Sequence, residues 1–213
     1  MRYNYIAVEG NIGAGKTSLA TRIAGQFNGK LILEQFEENP FLAKFYEDQD
    51  KYAFPLELSF LADRYQQLKR ELAHQDLFSD FTISDYFLNK SLIFARKTLK
   101  DDEYHLFRTL FDIMNANLPR PDLLIHLYVN TRRLQQNIKH RGRDYEQRIP
   151  DEYLEGIQDS YFNYLKQQPN LRILLLDMNS IDFVAYNAHF EAVLSAIDKD
   201  YPKGLTSVKL TPP

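Results

Sequence analysis

The chain has 213 residues, 25.1 kDa, 44% hydrophobic side chains and a formal net charge of −3. These values suit one domain over residues 1–213 with a packed core, and they lack the basic excess of a duplex-binding protein, so no nucleic-acid partner is expected. With no cysteine, disulfides, thiolate metal sites and cysteine nucleophiles are excluded; the five histidines show no metal-ligand spacing, and no apolar run nears the roughly 20 residues of a membrane span.

Met1 to Tyr5 lead straight into an apolar run, so no leader is expected and the location expected is cytoplasmic, with no membrane partner. Tyr5–Val8 reads as a buried strand before a Gly-rich turn, and Thr17–Phe27 as a helix with Leu19, Ile23 and Phe27 on one face. Leu31–Leu33 is a second strand, ending at Glu34. Helices are expected over Pro40–Tyr46 and from about Pro55 to His74. Phe81–Ile83 is a third strand, followed by helices over Leu88–Leu99 and Glu103–Asn117, with Asp101 and Asp102 placed for an N-cap and a favourable helix-dipole charge. Leu123–Val129 is a fourth strand, Arg132–His140 a basic helix, and 141–150 a polar loop leading into a helix to Lys166. Arg172–Leu176 is the fifth strand, Phe183–Ile197 the last helix, and 201–213 a short C-terminal tail. Strands alternating with helices predict an α/β fold, a three-layer sandwich around a five-stranded parallel sheet.

Gly10-Asn11-Ile12-Gly13-Ala14-Gly15-Lys16-Thr17 fits G-x-x-x-x-G-K-[ST] between a strand and a helix, the context in which such a loop cradles phosphates. These residues and Ser18 form the expected ATP-binding set. Lys16 would contact the β- and γ-phosphates, and Thr17 would offer its hydroxyl to Mg²⁺. No N-K-x-D guanine motif and no strand ending in Asp-Glu is present, which favours a small-molecule kinase over a switch GTPase or a motor ATPase.

Ligands bind at the carboxyl ends of the strands in an open parallel sheet. Glu34 ends the second strand and Asp85 follows the third. Glu34 suits a carboxylate that takes a hydroxyl proton, and Asp85 one that organises Mg²⁺. Glu37 and Glu38 compete with Glu34, and Asp85 could instead cap the following helix. Arg132, Arg133, Lys139, Arg141 and Arg143 precede the polar loop, where a basic lid could hold phosphoryl oxygens and exclude water.

The phosphate loop, Glu34 with Asn39-Pro40-Phe41, and Arg141-Gly142-Arg143-Asp144-Tyr145-Glu146-Gln147 before Ile149-Pro150 together resemble the deoxynucleoside kinase family, from about Tyr5 to Lys166. The resemblance implies the fold of the nucleoside monophosphate kinases and ATP-dependent phosphorylation of a small-molecule deoxynucleoside on its 5′-hydroxyl. It implies Glu34 as the general base, Tyr46 and Glu146 on the sugar 3′-hydroxyl, Arg64 at the base edge and Phe94 stacked on the base. Arg141 and Arg143 would grip the phosphates. A homodimer through helices 88–99 and 103–117 is implied as well. Two departures stand out. Asp85-Tyr86-Phe87 replaces the family's acid-Arg-Ser, so the missing arginine's charge must come from elsewhere or the acid's role differs. Lys90 or Ser91 stands where many members place a base-reading aspartate.

Glu57 occupies a position where many members carry glutamine, and it lies two helical turns from Arg64 on one face. An ionised glutamate only accepts hydrogen bonds, which suits the adjacent N1–H and N2–H₂ donors of guanine; a plain ion pair with Arg64 or Lys90 is the bland alternative. The lead expectation is therefore a purine deoxynucleoside, deoxyguanosine first. A nucleoside monophosphate kinase and a nucleotide-binding protein without catalysis are the alternatives.

Overall fold

The computed structural model describes residues 1–35, 39–73 and 76–211. In chain order its elements are β1 (Tyr5–Gly10), α1 (Lys16–Gln26), β2 (Gly29–Ile32), α2 (Leu42–Glu47), α3 (Gln49–Leu72), β3 (Phe81–Ser84), α4 (Lys90–Thr98), α5 (Asp101–Asn115), β4 (Leu123–Tyr128), α6 (Thr131–Arg141), a one-turn 3-10 helix (Asp144–Glu146), α7 (Asp151–Lys166), β5 (Arg172–Asp177), α8 (Asn187–Ile197) and β6 (Gly204–Lys209). The strands form one parallel sheet in the order β2-β3-β1-β4-β5-β6. No described helix is long and apolar enough to cross a membrane.

The sheet is covered on both faces, and the period-2 alternation of its strands divides the core. Ile6, Val8, Ile83, Ile125 and Leu174 point into one apolar cluster, whereas Tyr5, Ala7, Leu124 and Ile173 pack against Phe87, Leu165 and Leu171 on the other side. The order reverses at β1, because β3 pairs on one side of it and β4 on the other. The carboxyl end of β1 is therefore the switch point, where such sheets bind ligands, and the Gly-rich loop begins there.

Six strands replace the expected five. The sixth, β6, lies in the segment read as a tail and runs beside β5 from Arg172↔Gly204 to Asp177↔Lys209. It is an edge strand whose residues alternate between half-buried and exposed, so backbone pairing rather than an apolar run holds it in place. Helix α3 starts at Gln49, not near Pro55. The Asp48 carboxylate accepts from the Lys51 N–H (3.2 Å) and caps it, and Pro55 lies inside the helix. Its expected end, His74, lies outside the described residues. Helix α2 begins at Leu42 rather than Pro40, and α4 at Lys90 rather than Leu88. Lys100 is the N-cap residue of α5, which leaves Asp101 and Asp102 in its first turn; they still favour the positive end of the helix dipole. Helix α8 begins at Asn187 rather than Phe183.

A buried polar group ties β1 to the layers around it. Glu9 is 2% exposed. One of its carboxylate oxygens accepts from the Phe87 N–H (2.7 Å) and the other from the Tyr161 hydroxyl (2.7 Å), which joins β1 to the segment after β3 and to α7. Burial pushes the Glu9 carboxyl above the usual range against the lowering influence of Lys90, Tyr161 and Lys16. His126 on β4 is equally buried, its ring centroid 4.8 Å from that of Tyr161, and its Nδ1 has no hydrogen-bond partner. Burial, helped by the charge of Lys16, lowers its pKa to about 3.

Two outcomes are expected. Because the folded pKa of His126 lies below the unfolded one, the unfolded chain binds the extra proton. Stability contributed by neutral His126 is complete above about pH 6.5 and falls by about 1.4 kcal/mol per pH unit below it. Urea unfolding at two pH values should show the His126→Leu variant losing less stability between neutral and mildly acidic solution than the native chain. Equal losses would contradict this. Tyr161→Phe, which strips one partner from a buried carboxyl, should lower urea-unfolding stability by about 1–3 kcal/mol.

Candidate active site

The phosphate loop leaves β1 and ends where α1 begins at Lys16. Gly10, Gly13 and Gly15 all have positive φ (149°, 80° and 89°). At Gly13 the packing also excludes a side chain, since a Cβ there would stand 2.9 Å from the Leu134 carbonyl oxygen of α6. Asn137 of α6 donates to the Gly13 carbonyl (2.7 Å). Asn11 donates to the Leu154 carbonyl of α7 (2.8 Å) and accepts from the Ile12 N–H with its own Oδ1 (2.8 Å). The loop is thus gripped by the helices on either side of segment 142–150. Lys16 Nζ donates to the Asn11 carbonyl (2.9 Å), spanning the loop; burial and the neighbouring charge of Lys90 bring its pKa down to about 8. Ala14 is buried in the loop and Ser18 is exposed on α1.

Asp85, just past β3, accepts from the Thr17 hydroxyl (2.5 Å) with one oxygen and from the Glu34 N–H (2.8 Å) with the other. It does not cap α4, whose N-cap residue is Asn89. Thr17 Oγ1 and Asp85 Oδ2 place two hard oxygen donors at the loop. That suits Mg²⁺, which takes one or two protein ligands and completes its shell with phosphates and water. No group of three or more His, Cys, Asp or Glu among the described residues offers a richer metal cage.

Glu34 lies beyond β2 with its side chain 9% exposed. Arg64 of α3 donates through Nε to its Oε1 (2.7 Å) and brings Nη2 to 2.7 Å from the same oxygen, while Lys90 of α4 donates to its Oε2. Burial alone would raise the Glu34 carboxyl. The charges of Lys90 and Arg64 outweigh burial and hold it well below the usual carboxylate range. The Glu37 and Glu38 alternatives lie outside the described residues.

These groups open onto a pocket of about 110 Å³. The phosphate end holds Ile12, Lys16, Thr17 and Asp85, and Glu34, Arg64 and Lys90 form the middle. Tyr46, Glu57 and Phe94 line the far end, and Arg141 from the end of α6 approaches with Arg143 and Glu146 from the 142–150 segment. Lys16, Glu34, Tyr46, Glu57, Arg64, Asp85, Phe94, Arg141, Arg143 and Glu146 therefore meet in one place, whereas Arg132, Arg133 and Lys139 of the expected basic lid do not line it, and Arg133 instead donates to the carbonyls of Met178, Asn179 and Ile181. Their partners add detail. Arg64 also donates to Ser91 (2.8 Å). Arg141 and Arg143 both reach Glu146, the latter at 3.5 Å. The Tyr46 ring stacks on Tyr145 at 6.1 Å. Phe94 meets Tyr161 edge-on and lies 5.6 Å beneath the Lys90 ammonium. Glu57 is 3% exposed and accepts from the Thr98 hydroxyl (2.9 Å). A larger groove of about 420 Å³ between α4, α5 and α7 contains neither the loop nor the acid pair.

Sequence reading offered Lys90 only as an ion-pair partner for Glu57, whereas it pairs with Glu34, and it missed Thr98. The signal was present: Lys90, Phe94 and Thr98 recur every four residues and so share one helical face. Placing Phe94 at the pocket therefore places both neighbours there. Near the departure at Tyr86, a cation from α4, Lys90, stands beside Glu34.

Comparison with known proteins agrees with this geometry. The sequence model of the family described as deoxynucleoside kinase matches residues 6–201. The chain is 35% identical over 197 residues to the deoxyguanosine kinase of Bacillus subtilis (strain 168), covering 91% of this chain and 95% of the relative. It is 32% identical over 181 residues to the deoxyadenosine kinase of Dictyostelium discoideum, covering 84% and 74%. Its fold matches the solved structure of deoxyadenosine kinase from M. mycoides with dCMP and dCDP bound, with a TM-score of 0.79, 26% identity and coverage of 91% and 98%. A phosphate loop, a clamped acid beside it and a family match across nearly the whole sequence lead to one conclusion: the chain belongs to the deoxynucleoside kinase family.

Proposed function

We propose that residues 1–213 form one kinase domain that transfers the γ-phosphoryl group of ATP to the 5′-hydroxyl of a purine deoxynucleoside, deoxyguanosine first. The observation that carries this reading is Glu34, ionised between Arg64 and Lys90 and one residue-contact from the phosphate loop through Asp85. The loop N–H groups and Lys16 bind the phosphates. Thr17 and Asp85 would hold Mg²⁺, which when bound neutralises charge on the phosphate oxygens. The 5′-oxygen forms the new bond to the γ-phosphorus as the bond to the bridging β-oxygen breaks, ADP leaves, and the hydroxyl proton passes to Glu34.

The depressed pKa of Glu34 bears on its role. A carboxylate this acidic is a weak base, but it stays ionised throughout the working range and is a fixed hydrogen-bond acceptor. Phosphoryl transfer through a loose transition state demands alignment more than early deprotonation. Arg141 and Arg143 would turn to the transferring group, Tyr46 and Glu146 would take the sugar 3′-hydroxyl, Phe94 would pack on the base, and Glu57 with Arg64 would read its edge. The deoxyguanosine kinase and deoxyadenosine kinase named above support a purine as the base, and the higher identity to the former favours deoxyguanosine. A homodimer and a cytoplasmic location belong to the same reading. The dimer is supported by exposed Leu106 and Ile113, seven residues apart on one face of α5.

A coupled assay of ADP release with ATP and Mg²⁺ tests it against the four deoxynucleosides, the matching ribonucleosides and the deoxynucleoside monophosphates. Turnover confined to deoxynucleosides and highest with deoxyguanosine is expected; activity on monophosphates alone, or on nothing, overturns the reading. Glu34→Gln should lower kcat by about 10²–10⁴-fold, the usual range for a lost acid–base group, while ATP binding persists.

A further inference from the structure

The pocket treats its carboxylates unequally. Glu34 is held by Arg64 and Lys90, Glu146 by Arg141 and Arg143, and Asp85 by a hydroxyl and a backbone N–H. Glu57, buried in α3 at the base end, receives a neutral hydroxyl instead. A hydroxyl carries one hydrogen, and Thr98 has two acceptors for it: Glu57 Oε1 at 2.9 Å and the Phe94 carbonyl at 3.1 Å. The same atoms therefore accommodate either state of Glu57. When Glu57 is ionised, Thr98 donates to it. When Glu57 is protonated, Thr98 can donate to Phe94 and present a lone pair to the acid.

The surroundings leave both states accessible. Burial disfavours the charge. Arg64 on the same helix and Lys90 on α4 favour it, and Glu34 beyond β2 opposes it. Tyr46 of α2 and Tyr153 of α7 face it as neutral phenols, and Glu146 lines the same pocket from the lid. Burial prevails, and the carboxyl is pushed up to about 7.

The two states present different edges. An ionised carboxylate offers acceptors only and matches the paired N1–H and N2–H₂ donors of guanine. A protonated one offers a donor beside an acceptor, as a glutamine amide does, and matches N1 and N6–H₂ of adenine. We propose that the protonation state of Glu57 sets which purine the acceptor site takes, so that one pocket favours deoxyguanosine in its ionised form and deoxyadenosine in its protonated form. This rests on the kinase reading above and adds a specificity determinant to it.

The consequence is quantitative. The fraction ionised governs one substrate and the fraction protonated the other, so the ratio of kcat/KM for deoxyguanosine to that for deoxyadenosine rises about tenfold per pH unit. Groups common to both reactions, Lys16 and Glu34 among them, cancel in that ratio. Both substrates should be measured from about one pH unit below to about one above the Glu57 value of about 7. The native chain should show a rise of about a hundredfold. Glu57→Gln should give a ratio that favours deoxyadenosine and does not vary with pH. Thr98→Val removes the donor that stabilises the ionised form; its ratio should shift toward deoxyadenosine at every pH and keep the slope. A flat native ratio with both purines turned over, or turnover of one purine alone across the range, overturns the proposal and leaves the kinase reading standing. No turnover of either purine overturns both.

Discussion

Glu34 is charged and almost out of water, and the site is built around that constraint. A buried ion must be compensated closely or the fold loses several kcal/mol. The compensation comes from α3 through Arg64 and from α4 through Lys90, so the pairing fixes two helices against the end of β2. Neighbouring contacts stiffen the arrangement: Gln67 donates to the Leu33 carbonyl (2.9 Å), and Tyr86 donates to Gln67 (2.6 Å). On the other side Asp85 connects the Glu34 backbone to Thr17. An unbroken path of hydrogen bonds runs from the phosphate loop through Asp85, Glu34 and Arg64 to Ser91 on α4. Phosphate and base ends of the pocket are thereby held in one frame, which is what alignment for in-line transfer requires.

The cations that phosphates would engage already have oxygen partners. Lys16 rests on the Asn11 carbonyl, and Arg141 and Arg143 rest on Glu146. Binding a triphosphate would then exchange one acceptor for another at each cation, and the buried Glu146 released by the arginines would need the sugar 3′-hydroxyl as its new partner. For Lys16, whose pKa burial brings down to about 8, arriving phosphate charge also favours the ammonium form.

The phosphate loop was plain in the sequence because glycine spacing, a preceding strand and a following helix all state the same geometry. Glu34 and Asp85 were legible because strand ends converge in a parallel sheet. The clamp was not. Arg64 reads as a base-edge residue by likeness, and nothing in the sequence shows that its guanidinium also holds Glu34 and Ser91. That pairing spans 30 residues of sequence and depends on how α3 crosses the sheet. Lys90 was masked by its polarity, since a lysine on a helix usually marks a solvated face, yet it is 7% exposed. Strand β6 escaped because Gly-Leu-Thr-Ser-Val-Lys carries little apolar signal and is held by its ladder to β5. Pro55 misled because proline usually opens a helix, whereas the Asp48 cap sets this start.

A double-mutant cycle on the clamp tests this account most directly. Glu34→Gln, Lys90→Met and the double variant would each be unfolded in urea beside the native chain. If the buried pair organises the site, each single change is destabilising and the double variant is less so than their sum, with a coupling of about 1–3 kcal/mol. Additivity within about 0.5 kcal/mol would show that the two residues act independently and would contradict the central role given to Glu34.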